Sequence, residues 1–388
     1  MQTDALIEGM NALDYRVVNL SPTELRHGYG VLRERMEEAR FEFISANLVW
    51  QDTGEPLVAP TAVREVRLRE GAEVQRARLG FIGLTKSDPA FMAEGPEGRR
   101  IVTADPFVAA AKYVPRLMAE ADVVIALVSL DLDGARRLPG KVRGLDLVLG
   151  GYGPARTRDD DFPEDTRFGN TRIFYVGHQG QHLGEVRMVF GPDGHLASSR
   201  RATIRLTREW PEDPVLAQLM ESTKVAVNEY NKARAEAAGP FRAASGEAGG
   251  APATRPSATG PGYTGSGRCA ECHRQEYSIW SRSGHARAFD VLVRESQDFN
   301  PKCVRCHTIG FGRPQGFVNA RATPHLVHVG CESCHGPSQG HPEERAEEYG
   351  RTDTAACVTC HTKDNSPDYD PATYIPRVRH WSDERVSR

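Results

Sequence analysis

Four Cys-x-x-Cys-His runs, beginning at Cys269, Cys303, Cys331 and Cys357, occupy the last third of this chain and use all eight of its cysteines. Each sets two thiols and an imidazole within five residues, the arrangement in which cysteines add to haem vinyl groups and the adjacent histidine ligates the iron. The covalent attachment pairs are then Cys269 and Cys272, Cys303 and Cys306, Cys331 and Cys334, and Cys357 and Cys360, with His273, His307, His335 and His361 as proximal ligands. The competing reading is two zinc sites of four cysteines each. The histidines decide against it: with 13 histidines in 388 residues, four chance matches at that one position arise about once in a million trials. The expected cofactors are four c-type haems.

A 39% hydrophobic share and a mean hydropathy of -0.49 describe a polar chain with enough apolar material for at least one core, and its length suits two or three domains. A net charge of -3 argues against a nucleic-acid partner, and no apolar run approaches the roughly 18 residues of a membrane helix. Covalent haem implies an extracytoplasmic, periplasm-like compartment. The opening MQTDALIEGMNALDYR has no basic start, apolar run and small-residue cleavage site, so a signal sequence is expected upstream of Met1.

From residue 1 to about 236 short β-rich runs alternate with helical ones. Strands are expected at Arg16–Leu20, Phe41–Leu48, Val74–Leu84, Asp122–Leu130, Asp146–Gly151, Thr171–Gly177, Leu183–Phe190 and Ala202–Leu206. Helical periodicity fits Thr23–Ala39, Pro106–Ala119 and the stretch after Asp213, where Val215, Leu216, Leu219 and Met220 would share one apolar face and close a first domain spanning 1–238. Residues 239–262, GPFRAASGEAGGAPATRPSATGPG, carry almost no large apolar side chain and read as a flexible linker. The third segment, 263–388, has about 30 residues for each haem, too few for an ordinary core, so the macrocycles are expected to serve as one.

All seven methionines precede the linker, the last being Met220, so a sixth ligand from the haem segment must be histidine, a weaker group or nothing. Without methionine ligation low reduction potentials are expected. Five histidines outside the motifs, His285, His325, His328, His341 and His380, meet four vacancies. The segment holds 16 basic and 16 acidic residues, so no strong steering patch for a charged redox partner is evident.

The run YTGSGRCAECHRQEYSIWSRSGHARAF, with VGCESCHGPSQGH and the closing YIPRVRH, resembles the tetrahaem cytochrome c family that accepts electrons from hydroxylamine oxidoreductase. The resemblance implies distal ligands at His285, His341 and His380, three bis-histidine haems, and one five-coordinate iron at the second motif, on His307. His325 and His328 are departures, either of which could fill that vacancy.

The first 235 residues, through YRVVNLSPTELRHGYGVL, FEFISANL, ADVVIALVSLDLDG, GLDLVLGGYGP and GHQGQHLGEV, resemble the metallophosphoesterase domain of periplasmic nucleotidases. That family binds two metal ions through Asp, Asn and His at strand ends. Its Asn-His-Glu is here Pro22, Thr23 and Glu24; a strand-end histidine is matched by Ser129; its Gly-Gly-His-x-His is Gly150, Gly151, Tyr152, Gly153 and Pro154. The earliest family ligands would lie before Met1. Two-metal hydrolysis needs both ions as a clamp, so no divalent metal pair and no catalytic residue is expected. His178, His182 and His195 and the acidic run Asp159 to Asp161 read as surface features.

The expected fold is α+β: an incomplete metallophosphoesterase-like αββα sandwich followed by a mainly helical, loop-rich tetrahaem domain. The expected function is electron transfer with redox partner proteins, the first domain serving as scaffold or docking module. The alternatives are a redox enzyme acting on a small nitrogen or oxygen species at an open haem, and a metal-dependent nucleotidase.

Overall fold

Alternation of apolar and polar residues lays down the strands of the first half of the chain, and amphipathic helices cross over between them. In the structure, a computed structural model, residues 2–70, 73–151, 166–176, 180, 182–191, 195–207, 209–243, 262–341, 354–362 and 365–380 are described. By internal contacts the chain divides into two units, Thr3–Ala217 and Gln218–Arg388, the latter grouped with Met1–Gln2.

The first unit opens with α1 (Gln2–Ala12), β1 (Val17–Asn19), α2 (Tyr29–Glu38), β2 (Glu42–Ile44) and β3 (Leu48–Trp50). It continues through β4 (Thr61–Glu70), β5 (Glu73–Thr85), β6 (Ala93–Glu94), β7 (Arg100–Thr103), α3 (Pro106–Glu120), β8 (Val123–Ser129), α4 (Leu132–Lys141) and β9 (Leu147–Gly150). Strands β10 (Thr166–Phe168), β11 (Thr171–Tyr175), β12 (His182–Phe190) and β13 (Leu196–Arg205) follow. The main sheet has the order β10-β11-β9-β8-β5-β4, its four inner strands parallel and both edge strands antiparallel. Helices α3 and α4 make the crossovers between parallel strands.

The two faces of the sheet bury different sets. Ile82, Leu84, Val124, Ala126 and Val148 pack with Ala110, Val114 and Leu117 of α3 and Ala135 and Leu138 of α4. Leu79, Val123, Ile125, Leu147 and Phe174 face the other way, against Val186, Met188, Phe190 and Leu196 of the β12–β13 hairpin. A third cluster joins Ile7 of α1 and Leu32 of α2 to Leu20, Phe43, Leu48 and Ile101. Gly83 allows β5 to approach the first strands: a Cβ there would lie 2.5 Å from the Ile44 carbonyl oxygen and 2.6 Å from Asn19 Oδ1.

Where the elements differ from expectation, a particular residue accounts for it. The helix expected over Thr23–Ala39 is a 3₁₀ turn, Pro22–His27, followed by α2, with the break at Gly28 (φ 90°), a conformation that favours glycine. The strand expected over Phe41–Leu48 splits into β2 and β3, because fully buried Asn47 is used as a clamp. Its carboxamide donates to the carbonyls of Thr85 (2.7 Å) and Ala104 (2.9 Å) and accepts from Thr85 N–H (2.8 Å).

Helix α5 (Pro214–Ala243) is capped by Asp213, whose Oδ1 accepts from Val215 and Leu216 N–H. The shared apolar face does not form: Val215 and Met220 are 67% and 55% exposed, whereas Leu216 and Leu219 are half-buried. Nor does the helix simply close the first domain. From Gln218 onward it belongs to the second unit, held there by Asn228, which bonds Asp298 and Phe299. The helix continues to Ala243, into the stretch expected as linker; the rest of that stretch up to residue 261 lies outside the described residues.

The second unit strings short helices between loops: α6 (Ser266–Cys269), α7 (Arg274–Trp280), α8 (Ala288–Arg294), α9 (Pro301–His307), α10 (Cys331–His335) and α11 (Pro371–Tyr374). The expectation that it has no protein core needs correction at one place. Phe289, Leu292, Val304, Ile309, Phe317 and Leu326 form a buried apolar cluster around α8 and α9.

Candidate haem-binding site

Each Cys-x-x-Cys-His run adopts a helical turn, which turns positions i, i+3 and i+4 to one side. In the first run His273 N–H donates to Cys269 C=O at 2.8 Å; in the fourth, His361 N–H donates to Cys357 C=O at 2.9 Å. The second run lies in α9 and the third in α10.

Three of the four motif histidines face a histidine from elsewhere in the unit. The ring centroids of His273 and His341 are 6.3 Å apart, those of His361 and His285 6.1 Å, and those of His335 and His380 5.8 Å. A metal between opposed imidazoles at bond lengths of about 2.0–2.1 Å spaces the ring centroids by about 6 Å. All three centroid separations match that spacing. Burial first, then the neighbouring His361 and His307 imidazoles, holds His285 below the ordinary histidine range, and burial does the same to His361. Both directions favour the neutral, ligating ring.

Hydrogen bonds to Nδ1 fix several of these rings and leave Nε2 for a metal, the outer-shell support expected of ligating histidines. His307 Nδ1 meets Ala288 C=O at 2.6 Å, His361 Nδ1 meets Ser366 Oγ at 3.0 Å, and His380 Nδ1 meets Val378 C=O at 2.9 Å. Tyr369 stacks on His361 at 4.8 Å and 13°.

Among the described residues His307 is in none of these ring pairs. His325 is exposed, and half-buried His328 accepts a hydrogen bond from Phe289 N–H on Nδ1 (3.2 Å). A neutral ring that accepts on Nδ1 carries its proton on Nε2, so His328 as arranged has no lone pair for an iron. Met220 falls within this unit by its contacts but is mostly exposed.

The cysteines of different runs meet. Cys269 lies beside Cys331, Cys306 beside Cys360, and Cys334 near Cys357 and Cys360. The four runs thus neighbour one another in the order first, third, fourth, second. The first and third are further joined by Glu332, which is 3% exposed. Its carboxylate accepts from the backbone N–H of Thr264 (3.0 Å), Gly265 (2.8 Å) and Ser338 (2.9 Å) and from the Ser338 hydroxyl. Gly265 (φ 81°) admits the His325 carbonyl where a Cβ would sit. Sequence reasoning passed over Glu332, and no signal marks it out, since exposed Glu271 also lies inside a Cys-x-x-Cys pair.

In the first unit, the positions expected to have lost their metal ligands and their neighbours engage mostly in local contacts. Asn19 Nδ2 donates to Leu84 C=O (3.0 Å) and Ser129 Oγ (3.2 Å). Pro22, Thr23 and Glu24 form the 3₁₀ turn, in which Glu24 accepts from Ser21 N–H (2.9 Å) and Oγ (2.8 Å) as a capping box. Lys86 Nζ meets Asp131 Oδ2 at 2.9 Å. Buried Tyr175 covers Gly150 and donates to Leu130 C=O (2.9 Å). His182 and His195 bracket the β12–β13 hairpin at its start and turn. Tyr152, Gly153, Pro154, Asp159 to Asp161 and His178 lie outside the described residues.

Residues 268–336 match the family described as cytochrome c554 and c-prime. This cytochrome c554-like stretch takes in the first three haem motifs; the fourth, with His341 and His380, follows it. Cytochrome c-554 of Nitrosomonas europaea is 32% identical over 92 residues, 20% of this chain and 39% of that protein. The 2',3'-cyclic-nucleotide 2'-phosphodiesterase/3'-nucleotidase of Salmonella typhimurium is 26% identical over 204 residues, 48% of this chain and 32% of that protein. The chain thus spans between about a third and two-fifths of the length of these curated relatives. Among solved structures, the calcineurin-like phosphoesterase YfkN from Bacillus subtilis superposes with a TM-score of 0.49 at 20% identity, over 58% of this chain and 74% of that one. The chain joins a metallophosphoesterase-like first unit to a cytochrome c554-like second one.

Proposed function

We propose that this chain is an extracytoplasmic tetrahaem cytochrome that passes electrons between redox partner proteins, with a phosphoesterase-like module that serves as scaffold or docking surface and does not hydrolyse phosphate esters. The observation that carries this reading is the set of three histidine pairs 5.8–6.3 Å apart. In it, His273 with His341, His361 with His285, and His335 with His380 hold three irons, while His307 holds a fourth from one side. When bound, the haems supply reversible one-electron chemistry. The protein's part is to fix ligand rings through Nδ1 and to bring the four attachment sites together. The contacts between Cys269 and Cys331 and between Cys306 and Cys360 support short steps along such a path.

Mass spectrometry of protein matured in a host that attaches c-type haem tests the count, and low-temperature electron paramagnetic resonance tests the ligation. The reading expects four haems per chain, three low-spin irons and one high-spin iron. Fewer haems, or one of the three pairs high-spin, sinks it. The absence of His307 from the ring pairs favours a second reading, catalysis on a small nitrogen or oxygen species at that iron; turnover of such a species by reduced protein would establish it. Hydrolysis of nucleotides or phosphate esters with added manganese would overturn the inactive module.

A further inference from the structure

We infer that Asn228, encoded upstream of the cytochrome c554-like stretch, is a positioning residue for the second haem site. It is 8% exposed, and both ends of its carboxamide are used: Nδ2 donates to Asp298 Oδ1 at 2.8 Å and Oδ1 accepts from Phe299 N–H at 2.9 Å. One turn earlier on α5, Lys224 Nζ lies 3.8 Å from Glu295 Oε2. The helix thus grips the loop 295–300 at three of its residues.

That loop sets the second motif. It leaves α8, whose first residue, Ala288, supplies the carbonyl that fixes His307 Nδ1. It enters α9, which carries Cys303, Cys306 and His307, through Asn300: the Asn300 side chain caps Lys302 N–H, and its carbonyl receives Cys303 and Val304 N–H. Gln297 ties the two ends, accepting from Asn300 Nδ2 at 2.7 Å and lying 3.8 Å from Cys303 Sγ. Moving residues 298 and 299 therefore shifts α9 against α8 and with it the His307 ring. The other three motif histidines each have a facing ring to share the load, whereas His307 is held from its own side alone. The haem unit is consequently built with a helix from before residue 243.

The test uses the full-length, haem-loaded protein. Asn228→Asp keeps the acceptor for Phe299 N–H but sets a carboxylate against Asp298; adding Asp298→Asn restores a donor–acceptor pair with the polarity reversed. We expect the single variant to accelerate amide exchange over residues 295–307 on the order of tenfold, the loss of one buried hydrogen bond. We also expect it to move the high-spin signal and its midpoint potential, leave the low-spin signals in place, and be reversed by the double variant. Unchanged exchange over 295–307, or an equal change at all four haems, overturns the inference. Because the inference rests on the open-haem reading only for its magnetic readout, a wild type without a high-spin iron defeats that reading alone, and the exchange data still decide on Asn228.

Discussion

The imidazole rings of His273 and His341 lie 6.3 Å apart and within 22° of parallel although 68 residues separate them in the chain. That centroid separation is the one two imidazoles would keep on either side of a shared iron.

Replacing His341 by alanine should turn one low-spin iron high-spin and leave the other two histidine pairs low-spin. Replacing it by methionine should keep six ligands and raise that haem's midpoint potential by on the order of 0.1 V, since axial-ligand identity is a main lever on potential. Paramagnetic resonance and a spectroelectrochemical titration read these outcomes; no change in either would remove His341 from the ligand set.

Glu332→Ala should destabilise the haem-loaded second unit by about 3–5 kcal/mol, because the amides of Thr264, Gly265 and Ser338 lose a buried charged acceptor together. Glu332→Gln should cost less, about 1–3 kcal/mol, since one amide oxygen still accepts. Denaturant unfolding followed by Soret absorbance measures both.

Phe317, 1% exposed, packs on Phe289 at 5.5 Å in the apolar cluster beside α9. Phe317→Ala should cost about 3–5 kcal/mol and Phe317→Leu under about 2 kcal/mol. Equal losses in thermal unfolding would mean that the cluster is not tightly packed.

In the first unit, the Arg78 guanidinium and then the Arg78 backbone N–H hold Asp122 below the ordinary carboxylate value of 3.8. A carboxylate depressed in the folded state contributes stability that is present above 3.8 and is lost as pH falls through its folded value. Unfolding between pH 5 and acid should therefore be less pH-dependent in Asp122→Asn than in the wild type, while the variant is the less stable of the two at pH 7. Stability curves at stepped pH decide this.

Strand β8 is legible because its residues are dense and β-branched, and the Cys-x-x-Cys-His runs because the chemistry they suggest demands fixed spacing. Strand β4 was missed: Arg64, Glu65 and Arg67 break its apolar pattern, and an edge strand tolerates charges. The splitting of the second expected strand hangs on Asn47, whose partners are 38 and 57 residues away. His285, His341 and His380 could be named as ligand candidates, but which motif each faces depends on how the loops close. The role of α5 was hidden for the same reason, since its apolar pattern says nothing of the polar grip at Asn228.

In the proposed tetrahaem reading the four runs follow one another in space as first, third, fourth, second, so the two ends of the path are neighbours in sequence and the two interior stations come later. A conduit wired this way has unequal failure points. On that reading, loss of the second site would trim one terminus and leave a three-station path, whereas loss of the third would isolate the first from everything else.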